Sequence, residues 1–597
     1  MKYARTLQLD GIEIPEAPIP PEYEKILTPD ALLKLRDTVR EFRPLLNELR
    51  RNRARKRHLR RNGLLPLGFN PETRELRADL SWQALSCPPA LTGDLTGARL
   101  EFTGPAHSRG GMVNRFASGA DFAFECLEDA LSPWWDNLMQ AQVNLYDVAR
   151  GQLTHPKKKD VVVGVGGKFA QLEVRPRGLH LDDPRVLVDG IPVPGFLLDF
   201  VLHFHHNAKL LYEHGLGPFF YFAKLEGAED AGWCNSVIEF SQERHNIPCG
   251  TTRASILIET LPALFEAAEI VYELKSHIGA LNDGRWDKYA SDIREQPRNI
   301  FPGRSQLTMQ TERARAYTLY TSWVCYTRGV PKVGGMEAGI PLSKSDEFND
   351  AELQKFNDEA LRKAIANKKI EADPEGLACI GAWVAHPFWV QHLRPLFVHE
   401  DKNWKQHARQ RFLDVNLQGK EEELTKAMTA VPEGTISVED LWEGVTAQIE
   451  YKESWISGAG AKGIEYRDFA NNKLIKILMD DLATDAITDA QHWTWQRLGA
   501  RIQDSAENAA RIEQVLGIHL GDEKSITPEL LARLYQEKLK RIRARLGDES
   551  YAKSSFGLAA QRSLELATMG DNRFEQYEYV PEYLMPDLLE AERKTWK

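Results

Sequence analysis

An alternation of short apolar runs and longer helical stretches occupies residues 100 to 390 and constrains the fold more than any other feature of the chain. Eight of the apolar runs have the length expected of buried strands. They are residues 122–127, 171–174, 219–225, 255–258, 278–281, 306–309, 330–333 and 378–384. Because helical stretches separate them, we expect these strands to belong to an α/β fold.

Polar or glycine-rich residues repeatedly follow the carboxyl ends of these runs. In a (β/α)8 TIM barrel all such ends meet at one face, where the functional site is built. The residues in question are Glu128-Asp129, Arg175, Glu226, Glu259, Asp283 to Asp287, Thr311-Glu312, Gly334-Gly335-Met336 and His386-Pro387. A doubly wound open sheet is the alternative, but Gly164-Val-Gly-Gly lacks the glycine spacing of a dinucleotide-binding turn. The pattern therefore predicts a barrel.

Two carboxylates, Glu259 and Asp287, stand directly after neighbouring predicted strands. Their separation of 28 positions, 287 minus 259, fits one helical crossover between adjacent strands. Paired carboxylates of this kind hold a hard divalent cation such as Mg²⁺ and leave coordination positions open for substrate and water. The pair predicts a metal site, and two strand-end acids in ordinary salt bridges are the alternative.

Helical patterns dominate both ends of the chain. A long helix is expected to begin after Thr28, which suits the cap position, and to end near Arg61. After about residue 400 no further strand is expected, and the clearest helical stretches are 420–430, 438–454, 472–479, 489–503 and 528–545. We therefore divide the chain into a mostly helical segment at 1–100, a barrel at 101–400 and a helical segment at 401–597.

A basic run at residues 50–61 ends the long amino-terminal helix. It could contact phosphate, or it could be a solvated helix end whose cations suit the negative end of the helix dipole. The formal net charge of -10 argues against a protein dedicated to nucleic acid. A non-catalytic protein that binds nucleic acid or membrane through this run is kept as the weakest alternative.

The remaining bulk features indicate a globular protein of the cytoplasm. Apolar residues make up 42% of the chain and charged residues 27%. The six cysteines form no C-x-x-C pair, which indicates reduced thiols and no zinc knuckle. Neither a leader segment nor an apolar stretch long enough for a membrane span is present in the sequence, so no membrane partner is expected.

Thirteen short motifs are spread over most of the chain, from about residue 65 to about residue 500. They are Asn70-Pro-Glu-Thr, Phe102-Thr-Gly-Pro, Ser118-Gly-Ala, Glu128-Asp-Ala-Leu-Ser-Pro, Asn137 with Gln142-Val-Asn-Leu, Val174-Arg-Pro-Arg-Gly, His206-Asn-Ala-Lys, Gly217-Pro-Phe-Phe-Tyr, Ile258-Glu-Thr, Leu281-Asn with Gly284-Arg-Trp-Asp, Gly334-Gly-Met, Trp383-Val-Ala-His-Pro and Met479-Asp-Asp-Leu-Ala-Thr. In this order the motifs resemble those of the malate synthase family, and in particular its shorter isoform A type.

The resemblance implies an architecture and a reaction. The barrel would carry an amino-terminal helical clasp and a carboxyl-terminal helical plug over its mouth. The reaction would be the condensation of acetyl-CoA with glyoxylate and hydrolysis of the thioester to malate and CoA, with Mg²⁺, as in the glyoxylate cycle. The partners would be these two substrates, and the chain would be a monomer or a homo-oligomer.

The resemblance also assigns roles to individual residues. Arg175 matches the family's catalytic arginine, and Asp481, rather than its neighbour Asp480, matches the catalytic base. The implied metal ligands are Glu259 and Asp287. The implied substrate-binding residues are Gly284, Arg285 and Trp286, with Glu128 and Asp129 holding metal-bound water. The implied CoA contacts are Arg328, Pro331 and Lys332. Arg177 is expected to be a structural ion-pair partner.

Four positions depart from the family's pattern: Cys126 replaces an acid, Leu179 a tryptophan, Asp283 a cysteine and Ala461 a cysteine. Asp283 would place an extra acid near the metal, and Cys126 would lose a polar contact or replace it with a thiol. The tail beyond about residue 545 is longer than usual. A changed substrate therefore stays open, for example propionyl-CoA with glyoxylate or a larger 2-oxo acid.

Overall fold

The computed structural model describes residues 3–596 except 344–346, 416, 418, 522–523, 575 and 578. Its centre is a closed barrel of eight parallel strands, as the sequence predicts. The chain before the barrel contains β1 (Ala4–Leu9), β2 (Ile12–Pro18), α1 (Pro21–Glu24), α2 (Pro29–Arg61), a 3₁₀ turn at Pro71–Thr73, α3 (Arg74–Ala78) and α4 (Pro89–Thr92).

The barrel segment alternates strands and helices. Its elements are β3 (Arg99–Pro105), α5 (Arg109–Phe116), β4 (Phe122–Cys126), α6 (Trp135–Ala149), β5 (Leu153–Thr154), β6 (Val162–Val163), β7 (Gln171–Arg175), β8 (Asp182–Val188), β9 (Ile191–Pro194), α7 (Gly195–Glu213), β10 (Phe219–Phe222), α8 (Ala228–His245), β11 (Arg253–Ile258), α9 (Leu261–Phe265), α10 (Ala267–Glu273), β12 (Ile278–Asp283), α11 (Trp286–Glu295), a 3₁₀ turn at Arg304–Gln306, α12 (Glu312–Arg328), β13 (Lys332–Glu337), α13 (Asp350–Ala372), β14 (Gly381–Val384) and α14 (Pro387–Phe397). The barrel order is β3-β4-β7-β10-β11-β12-β13-β14, closed by pairing of β14 with β3.

The last part of the chain is mostly helical. It contains α15 (Trp404–Asp414), α16 (Glu421–Thr429), α17 (Val438–Ile456), β15 (Lys462–Arg467), β16 (Leu474–Asp480), α18 (Leu482–Arg497), α19 (Ala506–Leu516), α20 (Pro528–Leu546), α21 (Asp548–Lys553), α22 (Phe556–Thr568), α23 (Asp571–Phe574) and α24 (Val580–Trp596). The boundaries at residues 100 and 400 stay predictions.

One of the eight predicted strands is wrong. Residues 306–309 follow a 3₁₀ turn and form no strand, and Leu307 packs in a small cluster beneath the last part of the chain. The missing barrel strand is β3, which the sequence concealed because it carries Arg99 and Glu101. Both side chains are fully buried and pair at 2.6 Å, so charge within this strand does not mean exposure.

The prediction that strands stop after residue 400 is also wrong. Residues 472–479 were expected to be helical, but β16 occupies Leu474–Asp480 and pairs antiparallel with β15. Pairing with a neighbouring strand outweighs local helical preference, which is weak for so short a segment. At the other end of the chain, β1 and β2 join β8 and β9 in a four-stranded sheet that the sequence did not predict.

Three arginines of the basic run at the end of α2 pair with acids of the barrel segment. Arg53 pairs with Asp230 at 2.5 Å, Arg57 with Glu226 at 2.9 Å and Arg60 with Glu295 at 2.6 Å. The partners lie in or next to the barrel helices α8 and α11. These cations hold the long amino-terminal helix against the barrel, so the interpretation as a solvated helix end applies only to the exposed part of the run, such as Arg51 and Arg55. The phosphate contact stays a prediction.

Candidate active site

The predicted pair of acids lies at the carboxyl-terminal mouth of the barrel. Glu259 directly follows β11, and Asp287 lies in the first turn of α11, four positions after the end of β12. The two strands are neighbours in parallel register, with Ile258 opposite Asp283. Glu259 is 3% exposed and Asp287 7%. The topology thus brings together two acids that are far apart in sequence.

Burial and mutual repulsion act on these two carboxyl groups. Burial, followed by the charge of Asp287, raises the pKa of Glu259 well above its ordinary value. Burial also raises the pKa of Asp287, although the nearby Lys224 ammonium opposes the shift. A protein that holds like charges this close in a dry site needs a cation there, or leaves one of the groups protonated.

Lys224 is a site residue that the sequence reasoning missed. Its ammonium donates to the two oxygens of Asp129 at 2.8 and 2.9 Å and lies 3.4 Å from Asp287 Oδ2. Its backbone amide donates to Glu259 Oε1 at 2.8 Å. Burial opposes its charge, but the surrounding carboxylates raise its pKa well above the ordinary value. A lysine two positions after strand β10 was the available signal.

Arg175 is the last residue of β7 and points into the same cluster. Its Nη2 lies 3.1 Å from Asp129 Oδ2, and its Nε lies 3.4 Å from Glu128 Oε2. Although burial opposes the charge, Cys126, Asp129 and Glu128 raise the pKa of Arg175 well above its ordinary value. The structure therefore places Glu128, Asp129 and Arg175 together, as the sequence predicted.

The thiol of Cys126 makes polar contacts of its own, so of the two outcomes expected for this position the structure shows a replaced contact and not a lost one. Its Sγ accepts from Nε and Nη2 of Arg175 at 3.3 and 3.1 Å, and from the backbone amides of Glu128 and Ala130 at 3.2 and 3.4 Å. Burial raises the pKa of the thiol, which keeps it neutral. The sulfur thus orients Arg175 without adding another negative charge to the site.

Asp481 reaches the mouth of the barrel from the last part of the chain. It is the cap residue of α18, and its Oδ1 accepts from the backbone amide of Ala483 at 3.1 Å. Burial, then the charges of Asp129 and Asp287, raise the pKa of Asp481 to about 7. The structure therefore brings it into electrostatic contact with the barrel residues.

Its neighbour Asp480 is held in a different way. The carboxylate of Asp480 accepts from the Tyr466 hydroxyl and from Thr484 Oγ1, the latter at 3.0 Å. Both partners belong to the last part of the chain, so this acid is tied into its own domain. The two adjacent acids are thus separated by geometry: Asp481 faces the barrel cluster, and Asp480 is bonded within β16, β15 and α18.

Gly284, Arg285 and Trp286 form the turn between β12 and α11. A Cβ on Gly284 would lie 2.5 Å from Cβ of Glu259, so glycine is needed for this loop to lie against the strand-end acid. Arg285 stacks 4.0 Å from the Trp286 ring centroid, and its Nη2 donates to the carbonyl of Leu307 at 3.0 Å. Burial lowers the pKa of Arg285 to about 10.

The residues predicted to contact CoA are not brought to this face. Arg328 ends α12, and its guanidinium donates to the backbone carbonyls of Asp79 and Arg77. Pro331 directly precedes β13, at the amino-terminal end of the barrel. Lys332 is buried and pairs with Asp283 at 2.5 Å. Buried and already paired, Arg328 and Lys332 are not placed to meet a phosphate at the mouth.

The Lys332 pair also corrects the expectation for Asp283. Its Oδ1 accepts from Thr321 at 2.9 Å as well as from Lys332, on the side of β12 that faces α12. The extra acid is therefore compensated by Lys332 on the outside of the barrel and does not add charge to the Glu259–Asp287 pair. Arg177 behaves as expected, since it pairs with Asp183 and Asp199 at 2.8 Å.

The two other departures take part in packing. Leu179 is buried in the main hydrophobic core, and its carbonyl accepts from Nε of Arg50 at 2.6 Å. The backbone amide of Ala461 donates to the carbonyl of Ala130 at 3.0 Å. Both positions therefore help to join the segments around the barrel mouth.

The donor atoms of the site suit a hard divalent cation. Glu259 and Asp287 supply carboxylate oxygens, and both oxygens of buried Glu128 have no hydrogen-bond partner within the described part of the chain. Among the described residues no three acidic, histidine or cysteine side chains are arranged as a complete metal site. Two protein carboxylates with open positions for water and substrate are the arrangement that these residues fit.

The fold and the site together define a class of protein. The chain forms a (β/α)8 barrel whose carboxyl-terminal mouth holds a buried cluster of acids and an arginine. An acid from the last part of the chain completes this cluster. Such an arrangement is typical of an enzyme that uses acid–base catalysis.

Comparison with known proteins identifies the family. Residues 171–426 match the model of the malate synthase TIM barrel domain, and residues 435–520 match that of the malate synthase C-terminal domain. The malate synthase of Myxococcus xanthus is 33% identical over 96% of both chains. The glyoxysomal malate synthase of Brassica napus is 32% identical over 94% of this chain and 92% of its own. The chain belongs to the malate synthase family and is an enzyme, an acyltransferase of the malate synthase type.

Among solved structures, the chain matches the Haloferax volcanii malate synthase in its pyruvate/acetyl-CoA ternary complex. The match is 15% identical and covers 70% of this chain and 95% of the other, with a TM-score of 0.40. Separately, no helix in the described part of this chain combines the length and apolarity needed to cross a membrane.

Proposed function

We propose that this enzyme condenses acetyl-CoA with glyoxylate and hydrolyses the resulting thioester to malate and CoA, with Mg²⁺ as its cofactor. The observation that carries the proposal is the position of Asp481. An acid from the last part of the chain comes within electrostatic reach of Asp129, Asp287 and Arg175 at the mouth of the barrel, with its pKa raised to about 7. A condensation of this kind needs a base, a cation for the enolate and an activated aldehyde.

Asp481 is the proposed base that removes a proton from the acetyl methyl group. An acid whose pKa lies near the working pH is unprotonated in part of the population and still basic enough to take a proton. Asp480 cannot take this role in the same geometry, since Tyr466 and Thr484 occupy its oxygens. Asp481 would hold the proton at a carboxylate oxygen until the carbon–carbon bond has formed.

Arg175 is the proposed partner of the oxygen that becomes negative. A guanidinium stays charged even when it is buried, and it presents several donors in a fixed plane. Its Nε and Nη2 are held by the Cys126 sulfur and by Glu128 and Asp129. Arg175 would stabilise the enolate oxygen of the acetyl group without having to move during the reaction.

Glu259 and Asp287 are the residues that would hold Mg²⁺. When bound, the ion would polarise the aldehyde carbonyl of glyoxylate. Glu128 and Asp129 would orient water next to it. The backbone of Gly284 to Asp287 would receive the glyoxylate carboxylate, because the glycine lets the main chain come close to an anion. We also infer a role in the glyoxylate cycle and a cytoplasmic location.

The test is release of CoA, followed with a thiol reagent, from acetyl-CoA and glyoxylate with and without Mg²⁺. We expect release that depends on both substrates and stops when the metal is chelated. Propionyl-CoA in place of acetyl-CoA is the matched comparison, and faster release from it would favour the altered-substrate alternative. No release from either pair would refute the proposal.

A further inference from the structure

Helix α24, near the end of the chain, contacts both the barrel segment and the helices α17 and α18. In α24 the carboxylate of Glu592 pairs with Arg185 at 3.0 Å and accepts from the backbone amide of Trp135. Leu584 and Leu588 of the same helix are fully buried in a cluster with side chains of α17 and α18. The tail is therefore a packed part of the fold.

The residue that directly precedes α24 is Tyr579, and its ring faces the candidate active site. The ring centroid lies 4.2 Å from the His180 imidazole and 5.7 Å from Nζ of Lys224. The backbone nearby is held by Arg294 of α11, whose Nη2 donates to the carbonyl of Tyr577 at 2.5 Å. Helix α11 is the helix that also carries Asp287.

His180 joins this tyrosine to the carboxylate cluster. It is 7% exposed, and neither ring nitrogen has a hydrogen-bond partner within the described residues. A Cβ on Gly178 would lie 2.7 Å from Oε1 of Glu128 and 2.7 Å from Nδ1 of His180. The imidazole and the Glu128 carboxylate thus lie on either side of a position that only glycine can occupy. Burial and the Lys224 charge hold the pKa of His180 well below its ordinary value, so the ring is neutral.

We propose that Tyr579 is a positioning residue of the active site, which fixes His180 and the Lys224 ammonium and keeps water from that side of the carboxylate cluster. The inference rests on the proposed function, and it assigns a role to the tail that the family resemblance left without one. Lys224 binds Asp129 and lies next to Asp287, so a shift of its ammonium would be felt where glyoxylate and the metal are proposed to bind.

The ring, rather than the hydroxyl, carries the proposed role. A desolvated ammonium is stabilised by the face of an aromatic ring, and the tilted imidazole of His180 loses this aromatic contact if the Tyr579 ring is removed. Tyr579→Phe should therefore preserve the site, whereas Tyr579→Leu keeps an apolar side chain but removes the aromatic face. Tyr577→Ala alters the same segment at a ring that contacts Tyr583 instead of the site.

The experiment measures kcat and KM for the full-length variants with acetyl-CoA, glyoxylate and Mg²⁺. We expect Tyr579→Leu to lower kcat/KM for glyoxylate about ten-fold, as loss of a buried cation–π contact implies, with a smaller effect on the KM of acetyl-CoA. Tyr579→Phe and Tyr577→Ala should stay within about two-fold of the wild type. Equal losses in Tyr579→Leu and Tyr579→Phe, or in Tyr577→Ala, would overturn the proposal.

A double-mutant cycle with His180→Ala tests whether Tyr579 acts through the imidazole. We expect the loss in the double variant to be smaller than the sum of the two single losses, because the part of the Tyr579 effect that passes through His180 is then counted once, whereas fully additive losses would contradict the inference. Hydrogen exchange supplies a readout without turnover: Tyr579→Leu should expose the amides of residues 177–182 and leave those of α24 protected. Loss of protection throughout α24 would instead assign Tyr579 a purely structural role. An inactive wild type would refute the proposed function, yet exchange would still report whether Tyr579 covers His180.

Discussion

Two buried groups of charged side chains lie along the barrel, and they are balanced differently. Inside the wall of strands, Arg99 of β3 pairs with Glu101 at 2.6 Å and with Glu173 of β7 at 3.0 Å, and it also donates to Ser255 of β11 at 3.0 Å. Glu101 lies on the same strand as Arg99, whereas Glu173 and Ser255 lie on other strands of the barrel, so the group fills the barrel interior.

Both groups hold more acids than cations. The inner group has two acids to one arginine, and burial raises the pKa of Glu101 to about 8. At the mouth five carboxylates face two cations: Glu128, Asp129, Glu259, Asp287 and Asp481 surround Arg175 and Lys224. The groups differ in their hydrogen bonds, because both oxygens of Glu173 accept from Arg99 or Ser255, whereas both oxygens of Glu128 lack a hydrogen-bond partner in the described part of the chain. The outer group can therefore accept a further cation or proton more readily than the inner one.

The largest expected effect on activity comes from Asp481, the acid that the last part of the chain supplies to the mouth of the barrel. Asp481→Asn should lower kcat by about 10³-fold, within the range of a lost general base, while Mg²⁺ and glyoxylate still bind. Calorimetric titration measures the binding of Mg²⁺ and glyoxylate, and the CoA-release assay measures kcat. Asp480→Asn is the matched control and should mainly lower stability. Near-normal turnover in Asp481→Asn would show that another group is the base.

Loss of one carboxylate should lower the stability of the protein in the inner group but not in the group at the mouth. Glu173→Gln breaks a buried pair and should destabilise the protein by about 3 kcal/mol. Asp287→Asn removes a repelling charge, so without metal it should leave the melting temperature unchanged or raise it. Added Mg²⁺ should raise the melting temperature of the wild type but not of Asp287→Asn. Thermal unfolding at one scan rate measures all of these. Equal destabilisation by both substitutions would abolish the contrast between the groups.

The raised pKa of Asp481 predicts two dependences on pH. Because its pKa is about 7 in the folded protein and 3.8 ordinarily, the folded state binds the extra proton between these values. This contribution to stability is fully present below about pH 4 and is lost as pH rises through 7. Activity runs the other way, since the base must be unprotonated.

The pH dependence is measured by comparing the wild type with Asp481→Asn. The kcat/KM of the wild type should rise with pH up to an apparent pKa near 7, and the fall in melting temperature between pH 5 and about 7 should be smaller in Asp481→Asn. A fall of the same size in both proteins would mean that other acids of the mouth dominate the titration.

The smallest expected effect concerns the thiol that orients Arg175. Cys126→Ser keeps an acceptor at the same position and should lower kcat/KM about three-fold or less. Cys126→Ala removes the sulfur contact of two guanidinium nitrogens, which then keep only the carboxylates of Glu128 and Asp129 nearby, and should lower kcat/KM about ten-fold. Steady-state kinetics on the two variants separates them. If alanine proved as active as serine, the sulfur would have no part in holding Arg175.

The sequence predicted the site better where it lies at strand ends than where it depends on contacts between distant segments. Glu259, Asp287 and Arg175 each follow or end a recognisable apolar run, so their convergence followed from barrel topology. Lys224 was missed because it lay within the predicted strand 219–225, whereas the structure ends this strand at Phe222 and places Lys224 after it. Arg328 and Lys332 were misplaced because the sequence does not tell which end of the barrel a loop serves.

The barrel, the long helix α2 and the identity of the strand-end acids could be predicted from the sequence, because strand and helix periodicity and the direction of parallel strands are local properties. Which charges are compensated became evident from the folded chain. Asp283 meets Lys332 on the outside of a strand, Arg53 meets Asp230 beneath α2, and Tyr579 meets His180 at the mouth. Such pairings join residues far apart in the chain. The pKa of a buried group and its contribution to stability depend on the charged partners and on the exclusion of water, and both arise only when the chain folds.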